Sequence, residues 1–289
     1  MNDAKPQAEP PRLLDSGDHS RGSAGKTYVY PVVSRRAGGV SVGINLNPNN
    51  ACNWRCVYCQ VPNLTRGSAP PIDLALLEDE LRTMLRELQH GDFMNARVPI
   101  EARRIEDVAF SGNGEPTSAP EFLQAIDIVA RCMEECGLLG RIKLRLITNG
   151  SLMDRPVVRQ GIARLSQASG EVWFKLDAGS RQRIRLINGV DLDPAGVLRR
   201  LRDCGELCPT WVQTCCFAID GFAPNEAEIL AWLDILKHAR ERLDGVHLYG
   251  LARLPMQPEA PRLARLQPAW LEMLAARARN LGLQVRISP

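Results

Sequence analysis

The sequence predicts an α/β fold, a partial (β/α)6 barrel with parallel strands inside and helices outside. Three observations carry that expectation. Short apolar runs alternate with longer stretches of helical period, most of those stretches have their own start and stop residues, and about six such units fit into the chain. Six are fewer than a closed eightfold barrel needs, so the barrel is expected to stay open, with its chemistry at the C-terminal strand ends. At 289 residues with 45% apolar side chains, the chain can fill one substantial core. Periodicity alone leaves a flat doubly wound sheet open as well.

Residues 1–26 are rich in Pro, Gly, Ser and charge and read as a disordered N-terminal arm, with the folded domain spanning 27–289. Tyr28 to Val33 suits a short edge strand. Ser41 to Asn47 is the first core strand and feeds the turn Asn47-Pro48-Asn49-Asn50. Asp73 then caps a helix with Leu74, Leu77, Leu81, Leu85 and Leu88 on one face, ended by Gly91. The pattern repeats. Strands are expected at Ile105 to Ser111, Lys143 to Thr148, Glu171 to Asp177, Trp211 to Phe217, Val246 to Ala252 and Leu283 to Ile287. The helices between them open at Pro120, Asp154-Pro156, Asp193-Pro194, Pro224 and Pro268. A strand-helix-strand alternation implies right-handed crossovers into one parallel sheet.

The first fourteen residues lack the apolar core of a signal peptide, and no later stretch has the unbroken apolar length of a spanning helix, so a cytoplasmic protein without a membrane partner is expected. Nine cysteines then belong to a reducing compartment, as metal ligands, catalytic groups or core residues rather than disulfides. A net charge of +3 names no partner class.

The chemistry concentrates in Cys52-x3-Cys56-x2-Cys59, just after the first core strand. Three thiolates in so short a segment can reach one metal centre. A structural zinc or an all-cysteine cluster takes four protein ligands, so a triad suggests a cubane with one iron left for another ligand. Three zinc-binding or merely buried cysteines is the alternative. One unit later, Ser111-Gly112-Asn113-Gly114-Glu115-Pro116-Thr117 breaks a strand with glycines, where backbone can approach a ligand and a carboxylate can grip an ammonium. An ordinary βα turn would look the same. Asn149 ends the third strand. Alternation puts Lys175 and Asp177 on one side of the fourth, and Gln213 with Cys215 on one side of the fifth. A barrel-facing Cys215 could give a hydrogen atom to a substrate radical. Cys204, Cys208, Cys215 and Cys216 could hold a second cluster, although core packing explains them as well.

The cysteine loop, with Tyr58 just before its last cysteine, resembles that of the radical S-adenosylmethionine enzymes. The resemblance implies a [4Fe-4S] cluster on Cys52, Cys56 and Cys59, with the methionyl amino and carboxylate groups of S-adenosylmethionine on the remaining iron. One-electron reduction there gives methionine and a 5'-deoxyadenosyl radical, which takes hydrogen from a substrate. The Ser111 to Thr117 turn resembles the family's Gly-Gly-Glu motif, with Asn113 replacing the first glycine and Gly114, Glu115 and Pro116 matching. Cofactor contacts are thereby implied at Tyr58, Gly112, Asn113, Gly114, Glu115, Asn149, Lys175, Asp177 and Gln213. From Asn45 to about Ser288 the order of elements resembles the subgroup related to the wyosine-tRNA tricyclic-base synthases. Those relatives use cysteines upstream of the triad for a second cluster, and no cysteine precedes Cys52 here. The implied partners are a one-electron reductant such as flavodoxin or ferredoxin and a small-molecule, peptide or RNA substrate. Another tRNA-base modification, glycyl-radical activation, or a non-catalytic metal scaffold or redox sensor are the alternatives.

Overall fold

A computed structural model of the chain describes residues 13–14, 25–34 and 38–289. Eight strands form one curled sheet whose spatial order follows the chain: β1 (Val29–Ser34), β2 (Gly39–Ile44), β3 (Ile105–Phe110), β4 (Lys143–Thr148), β5 (Glu171–Lys175), β6 (Thr210–Cys216), β7 (Gly245–Gly250) and β8 (Val285–Ser288). β1 runs antiparallel to β2, and every later pairing is parallel. The first and last strands do not pair with each other, so the sheet is a half-barrel.

Helices cover the outside in the crossovers: α1 (Leu74–His90), α2 (Phe122–Glu135), α3 (Pro156–Gln167), α4 (Arg181–Asn188), α5 (Pro194–Leu207), α6 (Glu226–Ala239) and α7 (Pro268–Arg279). Local chemistry sets their ends. Asp73 caps α1 by accepting from the Leu76 N–H at 3.0 Å, and Asn225 and Glu228 form a reciprocal capping box on α6. The outer core lies between helices and sheet, where Phe110 and Phe122 meet edge to face at 6.1 Å and Leu81, Ile126, Leu144 and Phe174 are buried. No helix among the described residues is long and apolar enough to cross a membrane.

The inner face is polar, which is unusual for a core and makes room for ligands. At its floor the Arg145 guanidinium bridges Asp107 and Glu171, the latter at 2.6 Å, and lies 4.7 Å over the Trp173 ring. Trp173 Nε1 donates to the same Glu171 oxygen at 2.8 Å, and Ser41 donates to Asp107. Each buried charge therefore has partners.

One expectation needs correction, and one element was not foreseen. Residues 1–12 and 15–24 of the expected arm lie outside the described residues, but Leu14 does not belong to an arm. It is buried among the core side chains and its N–H donates to the Arg97 carbonyl at 2.7 Å, because a leucine in a polar stretch gains by burial. Between Asp177 and Asp193, where no element is expected from the sequence, the chain forms a further short helix, α4, capped by Ser180 and stopped by Gly189 at φ 64°.

Candidate functional site

The cysteine loop sits across the C-terminal ends of the strands and is tied down from several sides. Asn45 Oδ1 accepts from the Asn47 and Asn113 N–H groups at 3.1 and 3.0 Å, which joins the end of β2 to the Gly112–Gly114 turn. Asn47 Nδ2 donates to the Ala51 carbonyl at 3.0 Å, and Ala51–Cys52 pairs with Thr65–Arg66. On the far side, α4 presents the carbonyls that every helix leaves unsatisfied at its C-terminus. Ile187 and Asn188 accept there from Val57 and Arg55 at 2.8 and 3.1 Å. The chain after β7 forms a strap: Met256 N–H donates to the Cys59 carbonyl at 2.8 Å, Gln257 donates to the Val61 carbonyl at 3.2 Å, and Arg55 makes a bidentate pair with Glu259.

Below the loop lies a cavity of about 250 Å3 along the inner face. Cys52, Cys56, Cys59, Tyr58, Gly112, Asn113, Gly114, Glu115, Asn149, Lys175 and Gln213 all line it, together with Trp54, Trp173, Tyr249 and Arg253. Lys175 and Gln213 face each other across the β5–β6 ladder. Asn113 Oδ1 and Gln213 Nε2 are buried there without a hydrogen-bond partner among the described residues. Native structures rarely leave such atoms orphaned unless a water, ligand or ion completes them.

Two predicted positions fall elsewhere. Asp177 is buried outside the cavity lining, two residues past the end of β5 at Lys175. Its carboxylate accepts from Tyr58 OH at 2.6 Å, Asn188 Nδ2 at 2.8 Å and the Cys215 N–H at 3.1 Å, with Lys175 Nζ 3.5 Å away. It joins loop, helix and sheet. Cys215 lines a separate small cavity with Asp177 and Trp232.

Glu115 is in the cavity lining with its oxygens already engaged. It accepts from Thr117 N–H at 3.2 Å, Thr117 Oγ1 at 2.7 Å, Thr148 Oγ1 at 2.5 Å and Asn149 N–H at 2.7 Å. Burial raises its pKa, and those donors offset part of the rise. The carboxylate holds two strand ends together, while Asn113 Oδ1 of the neighbouring turn stays without a partner among the described residues.

Burial dominates the thiols, pushing Cys52 up to about 11 and Cys56 up to about 12. Against it work the Trp54 N–H on Cys52, 3.4 Å from its sulfur, and on Cys56 the Lys175 ammonium and the Asn188 amide. Burial disfavours the charged Lys175 too, yet Asp177 and Tyr249 hold its pKa well above the ordinary value. It donates to Tyr58 OH and lies 4.7 Å over that ring, a fixed cation beside the thiols. Burial and the neighbouring Asp177 keep Tyr58 protonated.

Among the described residues no three His, Cys, Asp or Glu side chains converge on a single-ion site. One tetrahedral zinc would hold thiolates about 3.8 Å apart, given its 2.3 Å bonds. A four-iron cluster bonds each thiolate to a different iron and takes a wider triad.

Sequence reasoning missed Asn188, Asn53 and the Arg55–Glu259 clasp. Asn53 Oδ1 accepts from Asn149 Nδ2 at 2.8 Å, fixing that predicted residue against the cysteine loop. The Ser180 start, Ile184 and Ile187 three apart, and the Asn188-Gly189 stop were the available signals for α4.

Gly114 carries a test of this arrangement. A Cβ there would overlap the Ala51 carbonyl oxygen and the Asn47 side chain, so the close approach of the turn to the cysteine loop at this point needs glycine. Gly114→Ala is expected to fold, with a displaced loop and at least about tenfold weaker iron retention during gel filtration, equivalent to roughly 1.4 kcal/mol. Parent-like retention would show that the contact does not position the loop.

The family model described as the radical SAM superfamily matches residues 46–236. Among curated proteins, the chain is 26% identical over 190 residues to the GTPase Obg of Brachyspira hyodysenteriae and 30% identical over 158 residues to UPF0026 protein MJ1312 of Methanocaldococcus jannaschii. These alignments take in 65% and 55% of this chain but 24% and 42% of those proteins, so the chain spans less than half the length of either. Among solved structures, a radical SAM methyltransferase from Sphaerobacter thermophilus is similar at TM-score 0.59 and 15% identity, over 90% of this chain and 68% of that one. TYW1 with a lysine-pyruvate adduct bound is similar at TM-score 0.55 and 19% identity, over 84% of this chain and 74% of that one. Both likenesses are of fold.

Proposed function

This chain belongs to the radical SAM superfamily, whose cofactors are a [4Fe-4S] cluster and S-adenosylmethionine, and from that premise we propose that it initiates a radical reaction on a substrate seated against the inner face of the half-barrel. The observation that carries the reading is the placement of three thiols over a cavity whose wall holds two buried amide atoms without partners among the described residues. The donor set fits the group, with three soft ligands and a fourth position left open. When bound, the cluster supplies the electron that cleaves the sulfonium of S-adenosylmethionine to methionine and the 5'-deoxyadenosyl radical.

The chain's own residues bind, aim and shield. Cys52, Cys56 and Cys59 hold the iron. Asn113 Oδ1 and the neighbouring turn accept from the methionyl ammonium, with Glu115 and Asn149 bracing that turn. Lys175 supplies positive charge to a carboxylate, and its hydrogen bond to Tyr58 keeps it pointed along the wall. Gln213 offers its amide to the ligand or substrate deeper in the trough, and Trp54, Trp173 and Tyr249 give the apolar surface that keeps water from a reactive carbon. Asp177 works outside this lining as the anchor of Tyr58, Lys175 and Asn188.

The test is anaerobic reconstitution with iron and sulfide, reduction with excess S-adenosylmethionine, and chromatography for 5'-deoxyadenosine and methionine, which are expected in equal amounts. Gln213→Leu separates binding from folding. Removing an unsatisfied buried amide is expected to stabilise the iron-free protein by about 1 kcal/mol or more and to lower 5'-deoxyadenosine formation. A destabilised variant with unchanged turnover would remove Gln213 from the site.

A further inference from the structure

One short helix end does more than clamp the cysteine loop. Asn188, 1% exposed, sends its side-chain amide to two acceptors at once, Cys56 Sγ at 3.3 Å and Asp177 Oδ2 at 2.8 Å. Both neighbours are acceptors, so the nitrogen and not the oxygen of the amide must face them. The approach is built into the backbone. Gly189, in the left-handed region, lets the end of α4 lie against the loop, where a Cβ would come within 2.8 Å of the Arg55 carbonyl. Arg66 closes the same contact by donating to the Gly189 carbonyl. Asp177, anchored by Tyr58 and the Cys215 N–H, holds the far side of the Asn188 amide and stops it from rotating away.

We propose that Asn188 is a positioning residue that sets the reduction potential of the iron-sulfur cluster through an N–H···S hydrogen bond to Cys56. The inference rests on the reading above, that Cys56 is a cluster ligand. An added electron increases the negative charge on the cluster and its thiolates, so a donor aimed at one sulfur stabilises the reduced form more than the oxidised form and raises the potential. Cys52 has the Trp54 backbone N–H, which no side-chain substitution removes, whereas Cys56 has the side-chain N–H of Asn188, which acts beside the charge of Lys175. The opposing influence is Asp177, whose negative charge near Cys56 favours the oxidised form. The amide lies between the two and faces both with donors.

The experiment is an EPR-monitored redox titration of the reconstituted full chain and its variants, without S-adenosylmethionine. Asn188→Leu keeps most of the volume and loses the donor. Asn188→Ser vacates the site and serves if the leucine variant does not load, and Asn188→Gln keeps an amide. Leucine or serine is expected to shift the midpoint downward by roughly 59 mV, a tenfold fall in the reduced-to-oxidised ratio at fixed potential for one electron. Glutamine should recover part of that shift. A purely structural Asn188 would lower cluster content and leave the midpoint of the clusters that do form at the parent value, and that result would overturn the proposal. Absence of a four-iron cluster in the parent would instead remove the reading it rests on, and the proposal with it.

Discussion

Replacing Cys56 by alanine is expected to abolish four-iron cluster assembly and bring 5'-deoxyadenosine formation down to the level of a protein-free control. The argument is one of ligand count. Three thiolates hold three irons, and a cluster left with two protein ligands is lost during reconstitution or gel filtration. Cys52→Ala and Cys59→Ala should behave alike. Cys136→Ala is the fitting control, because Cys136 follows α2 on the outer side, far along the chain from the loop and outside the cavity lining. Cleavage by Cys56→Ala at even a tenth of the parent rate would show that the cluster has another ligand. Circular dichroism should show all these variants folded, since the loop is tied down by Asn47, by α4 and by the strap after β7, none of which needs the sulfur.

Arg145→Met should produce the largest loss of stability among single changes to the inner face. The guanidinium lies between two carboxylates whose side chains are 3% and 8% exposed, and removing it leaves both buried without their cation. Breaking such a group by deleting one partner costs about 3–5 kcal/mol. Urea unfolding of the iron-free protein should show that decrease in the midpoint with an unchanged slope. The triple variant Asp107→Asn, Arg145→Met, Glu171→Gln should recover most of the loss, because the penalty comes from uncompensated charge. A loss below about 1 kcal/mol in the single variant would mean that water reaches the two carboxylates and that the floor of the half-barrel is open.

Much of this was legible in the sequence, for identifiable reasons. The cysteine triad lies in eight consecutive positions, so its chemistry needs no knowledge of the fold. Strand alternation placed Lys175 and Gln213 on the inner face, and the β5–β6 ladder makes them direct neighbours. Alternation failed two residues later. Asp177 would share that face if β5 continued, but the strand ends at Lys175 and its carboxylate turns to Tyr58 and Asn188 instead. Glu115 was legible as a residue, but its hydrogen-bond partners were not, because its four donors come from Thr117, Thr148 and Asn149, two of them some thirty positions away. α4 escaped because eight residues, half of them arginine or glutamine, bury only Ile184, Ile187 and Asn188. A helix that short draws its stability from what it packs against, and its contact with the cysteine loop spans more than a hundred residues of chain.

The most direct test of the central claim is the EPR spectrum of the reconstituted, reduced protein before and after addition of S-adenosylmethionine, read beside a metal analysis of the same sample. The account predicts four irons per chain, an S = 1/2 signal lost in Cys56→Ala, and a change of its g-values when S-adenosylmethionine takes the open iron. Zinc in place of iron, or a four-iron signal that S-adenosylmethionine leaves untouched, would contradict it.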